Sequence, residues 1–411
     1  MHDVAVIGGG IVGVACSLEL LGTGTVALIA AEGPGAGTAA GSAGYLSDGE
    51  IFPLAGPHTL RALPALLLDA RGPLAIAPAA APELLGWGLR FAFAARPARV
   101  RAATAALAAL NRPANDALYL LAERAGAHGF LRREGALHVA RSAAAFARAR
   151  ALIPVLAEHG LAARAVERDE LAALEPALSP AVAGAVEYPH AMRCTDPAAF
   201  GARLAEHVRQ LGATIAPGRA TALDCRRDGT WRVTLERGTL DARQVVVAAG
   251  VWSRPLLRRL GYIVPVRAAR GYHLMLPAPG VLPRRTLLFE DEHFCATPMD
   301  GGLRLAGTME FARAGAPPDF SRARLLFAPA ARYLPGLRDG SATQWMGNRP
   351  SFPDSLPAIG TARRHPTLHY CFGHEKLGLT QAAISARAVA ALVSGRPASF
   401  DLRPYSLERF L

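Results

Sequence analysis

Lysine is nearly absent from this chain: of 45 basic residues among 411, 44 are arginine and one is Lys376. Such a bias, alongside abundant alanine, replaces lysine by arginine wherever either serves. The one that remains is either a chance survivor or sits where a compact point charge is wanted and a guanidinium fork is not. Cysteine is scarce as well. Cys16, Cys194, Cys225, Cys295 and Cys371 stand without C-x-x-C or Cys/His spacing, which argues against a disulfide framework and a zinc site and leaves small buried apolar residues. No apolar run reaches 18 residues without a polar or glycine break, so neither a transmembrane helix nor a signal peptide is expected, and the compartment reads as cytoplasmic. The net charge of +12 is spread along the chain with no nucleic-acid motif, so an anionic substrate or a membrane surface is the better use for it.

What is present in quantity is apolar residue, 51% of the chain, enough for large cores and two or three domains. The stretch that organises the rest is DVAVIGGGIVG, from Asp3 to Gly13. Val4 to Ile7 form a short β-branched run that predicts a buried parallel strand. Gly8, Gly10 and Gly13 then give G-x-G-x-x-G ahead of a helix. The first glycine permits the tight turn, the second lets the backbone approach a pyrophosphate, and the third lets helix pack on strand. Free N–H groups at the helix start complete an anion site.

One partner of that motif is missing. A second strand, Val26 to Ile29, should be followed by an acidic residue for the ribose, but Ala30 and Ala31 come next and Glu32 only afterwards. Either Glu32 reaches back or backbone and water hold the ribose. Weaker cofactor retention is expected, and a chain that has lost its cofactor stays open as an alternative.

Further along, GPGAGTAAGSAGYLSDG is a loop of small residues suited to lying against a ligand. Leu60 to Leu110 is helical and apolar with interleaved arginine, either a basic amphipathic membrane-surface element or helices of a second domain covering a sheet. Ala143 to His159 reads as one helix and Arg168 to Leu178 as a short one; Asp196 caps another that runs to about Leu211. Val245 to Gly250 reads as a second fully buried strand ending in small residues. Arg267 to Leu276 and Thr286 to Glu310 alternate apolar with polar, as an antiparallel sheet with one wet face does. WMGNRPSFPDSLPAIG reads as a proline-rich irregular stretch, followed by strand LHYCF, the turn GHEKLG and a closing helix from about Leu379 to Ser394.

Five of these motifs, GGGIVG, GTAAGSAG, VVVAAGVWS, WMGNRPSFPDSLPAIG and FGHEKLGLTQAA, in this order and over nearly the whole chain, resemble the D-amino-acid oxidase/dehydrogenase family of FAD flavoproteins. The likeness is strongest to bacterial D-amino-acid dehydrogenases. The segment DARGPLAIAP is similar to the dehydrogenase branch, and GHEKLGLT to the branch acting on D-proline and D-hydroxyproline. The resemblance implies an α/β fold (α+β overall): a Rossmann-like FAD-binding domain assembled from residues 1–85, 195–260 and 335–411, with an inserted antiparallel-sheet substrate domain from 86–194 and 261–334. The cofactor-binding set it implies is Gly8, Gly10, Ile11, Val12 and Gly13, with Glu32 near the ribose. To these it adds Thr38, Ser42, Ala43 and Gly44, with Ser42 where relatives often carry Asn, then Ala248, Ala249, Gly250, Trp252 and Gly347. Gly373, His374, Lys376, Leu377, Gly378, Leu379 and Thr380 complete the set.

For catalysis, Arg349 matches the arginine that holds the substrate carboxylate, as a bidentate fork suits; the alternative is an ion pair with Asp354. Lys376 matches a second cation, facing either the carboxylate or the flavin N1/C2=O edge, unless Glu375 neutralises it. Of Tyr272 and His273, adjacent on a strand and so facing opposite ways, Tyr272 matches the aromatic that faces the flavin, leaving His273 to core or solvent. Cys371 reads as a buried thiol rather than a covalent flavin link. The implied reaction is hydride removal from the α-carbon of a D-amino acid to flavin N5, giving an imino acid that water hydrolyses. No general base is assigned. Electrons pass to a quinone or another carrier, or to oxygen. The alternatives are oxidation of secondary amines such as sarcosine, glycine or cyclic imino acids, a flavoprotein subunit of a larger complex, and a cofactor-poor scaffold.

Overall fold

The computed structural model of the protein describes residues 1–69 and 72–411. Ala70 and Arg71, inside the DARGPLAIAP segment, lie outside the described residues. Strand His2–Ile7 sits inside a sheet with Val26–Ala30 on one side and Thr239–Val247 on the other, both parallel to it. Thr214–Pro217 and His365–Phe372 extend the parallel part outward. Their central stretches, Val4 to Ile7, Val26 to Ala30 and Val245 to Val247, are apolar and buried because both faces are covered there. One face carries helices Ile11–Leu20, Pro197–Gln210 and Gly378–Val393, which bury Val14, Leu204 and Val389 against Val4 and Val6. Asp196 caps the second of these, accepting from the backbone N–H groups of Ala198 and Ala199. Helices Pro97–Asn111 and Ala114–Arg124 join the same core through Leu107, Leu110 and Leu118, on the nucleotide side rather than with the inserted sheet.

Among the described residues the second sheet has nine strands. Thr343–Ser351 forms its edge and is followed by Arg267–Leu276, Gly302–Phe311, Phe294–Met299, Thr286–Phe289, Ala136–Ala140, Gly184–Tyr188 and Arg164–Glu167, with Leu74–Ile76 joined to Gly302–Phe311. Helix Ala81–Ala94 covers part of it, burying Trp87 and Phe91 against Ala269 and Phe311.

Three local expectations change. WMGNRPSFPDSLPAIG is not irregular throughout. Thr343–Ser351 pairs along the whole of its length with Arg267–Leu276, from Arg267 opposite Ser351 to Met275 opposite Thr343, and Ala358–Ala362 is a strand of the first sheet. Pro350 is tolerated because an edge strand does not need every N–H. Ala143 to His159 is two helices, Ala143–Arg150 and Ile153–Glu158, with Pro154 in the first turn of the second, where its missing N–H is harmless. Leu60 to Leu110 is broken into helices Pro57–Leu68, Ala81–Ala94 and Pro97–Asn111, with strand Leu74–Ile76 among them.

Candidate functional site

Between the two sheets lies a cavity of 1490 Å³, larger than the roughly 300–1,000 Å³ of ordinary small-molecule pockets and suited to a dinucleotide with a substrate. Its nucleotide end is built by the turn after His2–Ile7. Gly8 has φ 124°, and a Cβ there would lie 2.4 Å from the Ala248 carbonyl oxygen, so only glycine fits. A Cβ at Gly13 would lie 1.8 Å from the Gly8 carbonyl oxygen, which fixes the close helix-on-strand contact. Helix Ile11–Leu20 starts at Gly10 with no side-chain cap and no acidic residue in its first turn, leaving its first N–H groups free for an anion. Glu32 borders this end of the cavity. Ala30, where the ribose acid was expected, instead packs its methyl against the backbone at Gly9.

Most of the cofactor-binding residues expected from the sequence line this one cavity: Gly8, Gly10, Ile11, Val12, Glu32, Thr38, Ser42, Ala43, Ala248, Ala249, Gly250, Trp252, Gly347, Gly373, His374, Lys376, Leu377, Gly378 and Leu379. Gly13, Gly44 and Thr380 stand behind the wall. Gly44 turns against Cys194 and Met299 at φ 66°, and Thr380 is buried in the closing helix. Thr38 donates its hydroxyl to the Asn348 carbonyl, so the small-residue loop is tied to the edge strand of the second sheet.

That edge strand also carries Arg349 into the cavity. Its guanidinium donates to the Thr308 carbonyl and has no carboxylate within salt-bridge distance among the described residues. Asp354, the alternative partner, is taken by Arg409 at 2.7 Å. Burial lowers the Arg349 pKa, with Glu375 working against it. A half-buried guanidinium on the cavity wall with no carboxylate beside it calls for an anion.

Lys376 pairs with Glu50, Nζ to Oε2 at 2.6 Å, and not with its neighbour Glu375. Burial disfavours both charges, but each partner more than compensates the other: the Lys376 pKa lies above its ordinary value and that of Glu50 below. Glu50 was not foreseen, because 326 residues separate it from Lys376.

Tyr272 borders the cavity, but its hydroxyl donates to Glu310 at 2.6 Å and accepts from the Asp319 N–H. His273 faces the other way, pairing its Nδ1 with the Gly41 carbonyl and stacking on Trp345. Burial, with Arg304 nearby, pushes His273 down to about 4, so it is neutral. Cys371 is buried, and burial beside Cys16 raises its pKa, so it is an inert thiol.

A second unforeseen group lies on the same wall. Tyr45, just after the small-residue loop, makes a 2.8 Å hydrogen bond with His138 Nε2, and His138 Nδ1 makes another of 2.8 Å with Glu290. The Tyr188 ring lies 4.3 Å from the imidazole.

A family described as FAD dependent oxidoreductase, DAO, matches residues 3–392. The chain belongs to the DAO family. Its relatives include a D-amino-acid oxidase of Bradyrhizobium diazoefficiens, 36% identical over 423 residues and spanning 100% of this chain and 99% of the relative. A D-amino acid dehydrogenase of Dechloromonas aromatica is 31% identical, spanning 96% and 97%. Among solved structures, glycine oxidase from Geobacillus kaustophilus superposes with a TM-score of 0.77 at 22% identity, covering 100% and 99% of the two chains, and L-proline dehydrogenase from P. horikoshii with 0.74 at 17%, covering 99% and 97%. These two carry the fold. The protein is therefore a DAO-family oxidoreductase whose cofactor is FAD, and the glycine cradle, the uncapped helix start and the size of the cavity fit that cofactor.

Proposed function

We propose that this DAO-family enzyme oxidises D-amino acids, with D-proline and D-hydroxyproline as leading substrates, and passes the electrons to a quinone or another carrier. The observation that carries the reading is Arg349, which lines the same cavity as the FAD cradle and has no carboxylate partner among the described residues. FAD bound there supplies the two-electron acceptor for the α-carbon hydride, and the imino acid released is hydrolysed by water to a 2-oxo acid. Arg349 grips the substrate carboxylate and so presents one face of the α-carbon, which sets chirality by placement. Lys376 and Glu50 give the same wall a fixed dipole, with the ammonium placed to favour negative charge that develops beside it. Gly8 and Gly10 hold the pyrophosphate, Gly13 supports them from behind, and Glu32 serves the ribose in place of Ala30. Tyr272 forms part of the wall as a fixed ring.

The carrier reading is supported by the mouth of the cavity. Helices Pro57–Leu68 and Ala81–Ala94 line it with Leu63, Leu66, Leu67 and Leu84. At its rim Leu85 and Leu89 also border the cavity and are exposed, as are Leu68 and Phe93 beyond it, beside Arg90, Arg96 and Arg99. That apolar and basic face fits peripheral contact with the anionic inner leaflet of the cell membrane, and a lipophilic acceptor reaching the mouth from it. Among the described residues no helix is long and apolar enough to cross a membrane. A partner subunit is the other occupant this face would accept.

The test is the visible spectrum of purified protein before and after anaerobic addition of D-proline, cis-4-hydroxy-D-proline and D-alanine, each against its L-form, with sarcosine and glycine alongside. A flavin spectrum that bleaches with a D-substrate only is expected. A protein that stays colourless with added FAD, or bleaches with sarcosine or glycine alone, overturns the reading.

A further inference from the structure

A substrate ammonium must lose a proton before its α-carbon can give up hydride, since the developing imine needs the nitrogen lone pair. Nothing in the carboxylate grip of Arg349 does this. The wall that carries Tyr45, His138 and Glu290 has the parts. Glu290 faces His138 Nδ1 at 2.8 Å, so that nitrogen carries the hydrogen and Nε2 is left as an acceptor for the Tyr45 hydroxyl, also at 2.8 Å. A hydroxyl bonded to an imidazole whose other nitrogen is held by a carboxylate is the arrangement that activates an oxygen as a proton acceptor. Burial, with Glu50 and Tyr188 adding to it, holds the Tyr45 pKa well above its ordinary value. Tyr45 is therefore a neutral phenol on the cavity wall, with Ser47 hydrogen-bonded to its oxygen.

Resting on the amine-oxidation reading above, we propose that Tyr45 accepts the proton of the substrate ammonium while passing its own to His138, with Glu290 holding the ring. The step moves one proton and no electrons to or from the protein. The substrate N–H bond breaks as a new Tyr45 O–H bond forms, and the original Tyr45 O–H bond breaks as His138 Nε2–H forms. The products are a neutral amine and an imidazolium. The groups facing the ring are Tyr45, Glu50 with Oε1 4.0 Å from Nε2, Tyr188 and Glu290, while Ser47 and Cys295 neighbour Tyr45. Lys376 is held off by its own pair with Glu50. The imidazolium thus forms between two carboxylates. Glu290 keeps 23% of its side chain accessible, which gives the proton a way onward. Tyr45 is the residue that meets the substrate; His138 and Glu290 position and discharge it.

The test is anaerobic stopped-flow bleaching of the holoenzyme by D-proline across pH, in the wild type and in Y45F, H138Q and E290Q. Wild type is expected to bleach rapidly at pH 7, where free D-proline is protonated. Y45F and H138Q are expected to lose about 100-fold at pH 7, within the usual range for proton-transfer catalysis, and to recover as pH rises toward the amine pKa of the substrate. E290Q should fall between them and the wild type. Binding of pyrrole-2-carboxylate, which has no ammonium proton to lose, should be unchanged in all three when read by flavin perturbation. Equal rates and equal pH profiles overturn the proposal, and so does a loss that is the same at every pH. If H138Q does not take up FAD, Y45F and E290Q decide the matter alone. If wild type bleaches with sarcosine and not with D-proline, the substrate reading fails, and the same comparison on sarcosine decides the relay separately.

Discussion

A Cβ built on Gly271 would lie 2.2 Å from the guanidinium carbon of Arg349, so the missing side chain at 271 is what lets Arg349 lie across strand Arg267–Leu276. Because the colliding atoms are the far end of a flexible chain, G271A should fold and simply displace the guanidinium. We expect G271A and R349K to raise KM for the carboxylate substrate more than they lower kcat, and R349A to lose about 100-fold in kcat/KM, the order of a charge-assisted hydrogen bond. Steady-state kinetics with a D-amino acid and its methyl ester check this, since the ester should be nearly indifferent to all three changes.

Gly10 and Gly13 belong to one motif but answer to different neighbours. A methyl at Gly10 meets nothing nearer than the Ala36 carbonyl at 3.9 Å, whereas one at Gly13 strikes the Gly8 carbonyl. G10A is therefore expected to leave the thermal stability of the cofactor-free protein unchanged while weakening FAD binding. G13A should destabilise the fold itself by about 1–3 kcal/mol through overpacking. Thermal denaturation of apoprotein and flavin titration separate the two.

Burial pushes His273 and His369 down to about 4 and His374 to about 3, against about 6.5 in the unfolded chain. Between those limits the unfolded state binds more protons, so stability contributed by these neutral rings is complete above about pH 6.5 and is lost as pH falls toward 4. Each buried ring accounts for at most roughly 3–5 kcal/mol of that loss. His369 lies away from the cavity, hydrogen-bonded to Thr361 and Gln244, so H369Q should flatten the slope of melting temperature against pH in this window. An unchanged slope would show that carboxylates govern the acid limb.

For the exposed face of helix Ala81–Ala94, L85D/L89D should bind phosphatidylglycerol vesicles more than about tenfold less well, given about 2 kcal/mol for each buried leucine. Because Leu85 and Leu89 lie at the cavity rim, turnover with a D-amino acid and a soluble dye should fall much less than turnover with quinone in vesicles. Co-sedimentation and the two assays read this directly.

What could be read from the sequence followed from distance along it. Gly8, Gly10 and Gly13 act through spacing within six residues, and Asp196 through the next turn, so both were legible. Thr343–Ser351 was not, because Pro350 and Pro353 weaken any strand pattern and only pairing with Arg267–Leu276 reveals an edge strand. The pairing of Lys376 with Glu50, and the line from Tyr45 to His138 and Glu290, depend on strand register between segments tens to hundreds of residues apart. Periodicity places Tyr272 and His273 on opposite faces, but only the Gly41 carbonyl and the Trp345 ring show which nitrogen meets the small-residue loop.

The central strand His2–Ile7 has Thr239–Val247 as a neighbour, and that strand in turn pairs with His365–Phe372, after which the Gly373–Gly378 turn meets the same cavity. A ribosome that has made the glycine turn must add almost nine-tenths of the chain before the cradle can close. Flavin capture is thus a late event of biogenesis, and a nascent chain stalled before residue 365 is expected to remain a flavin-free species for chaperones to guard.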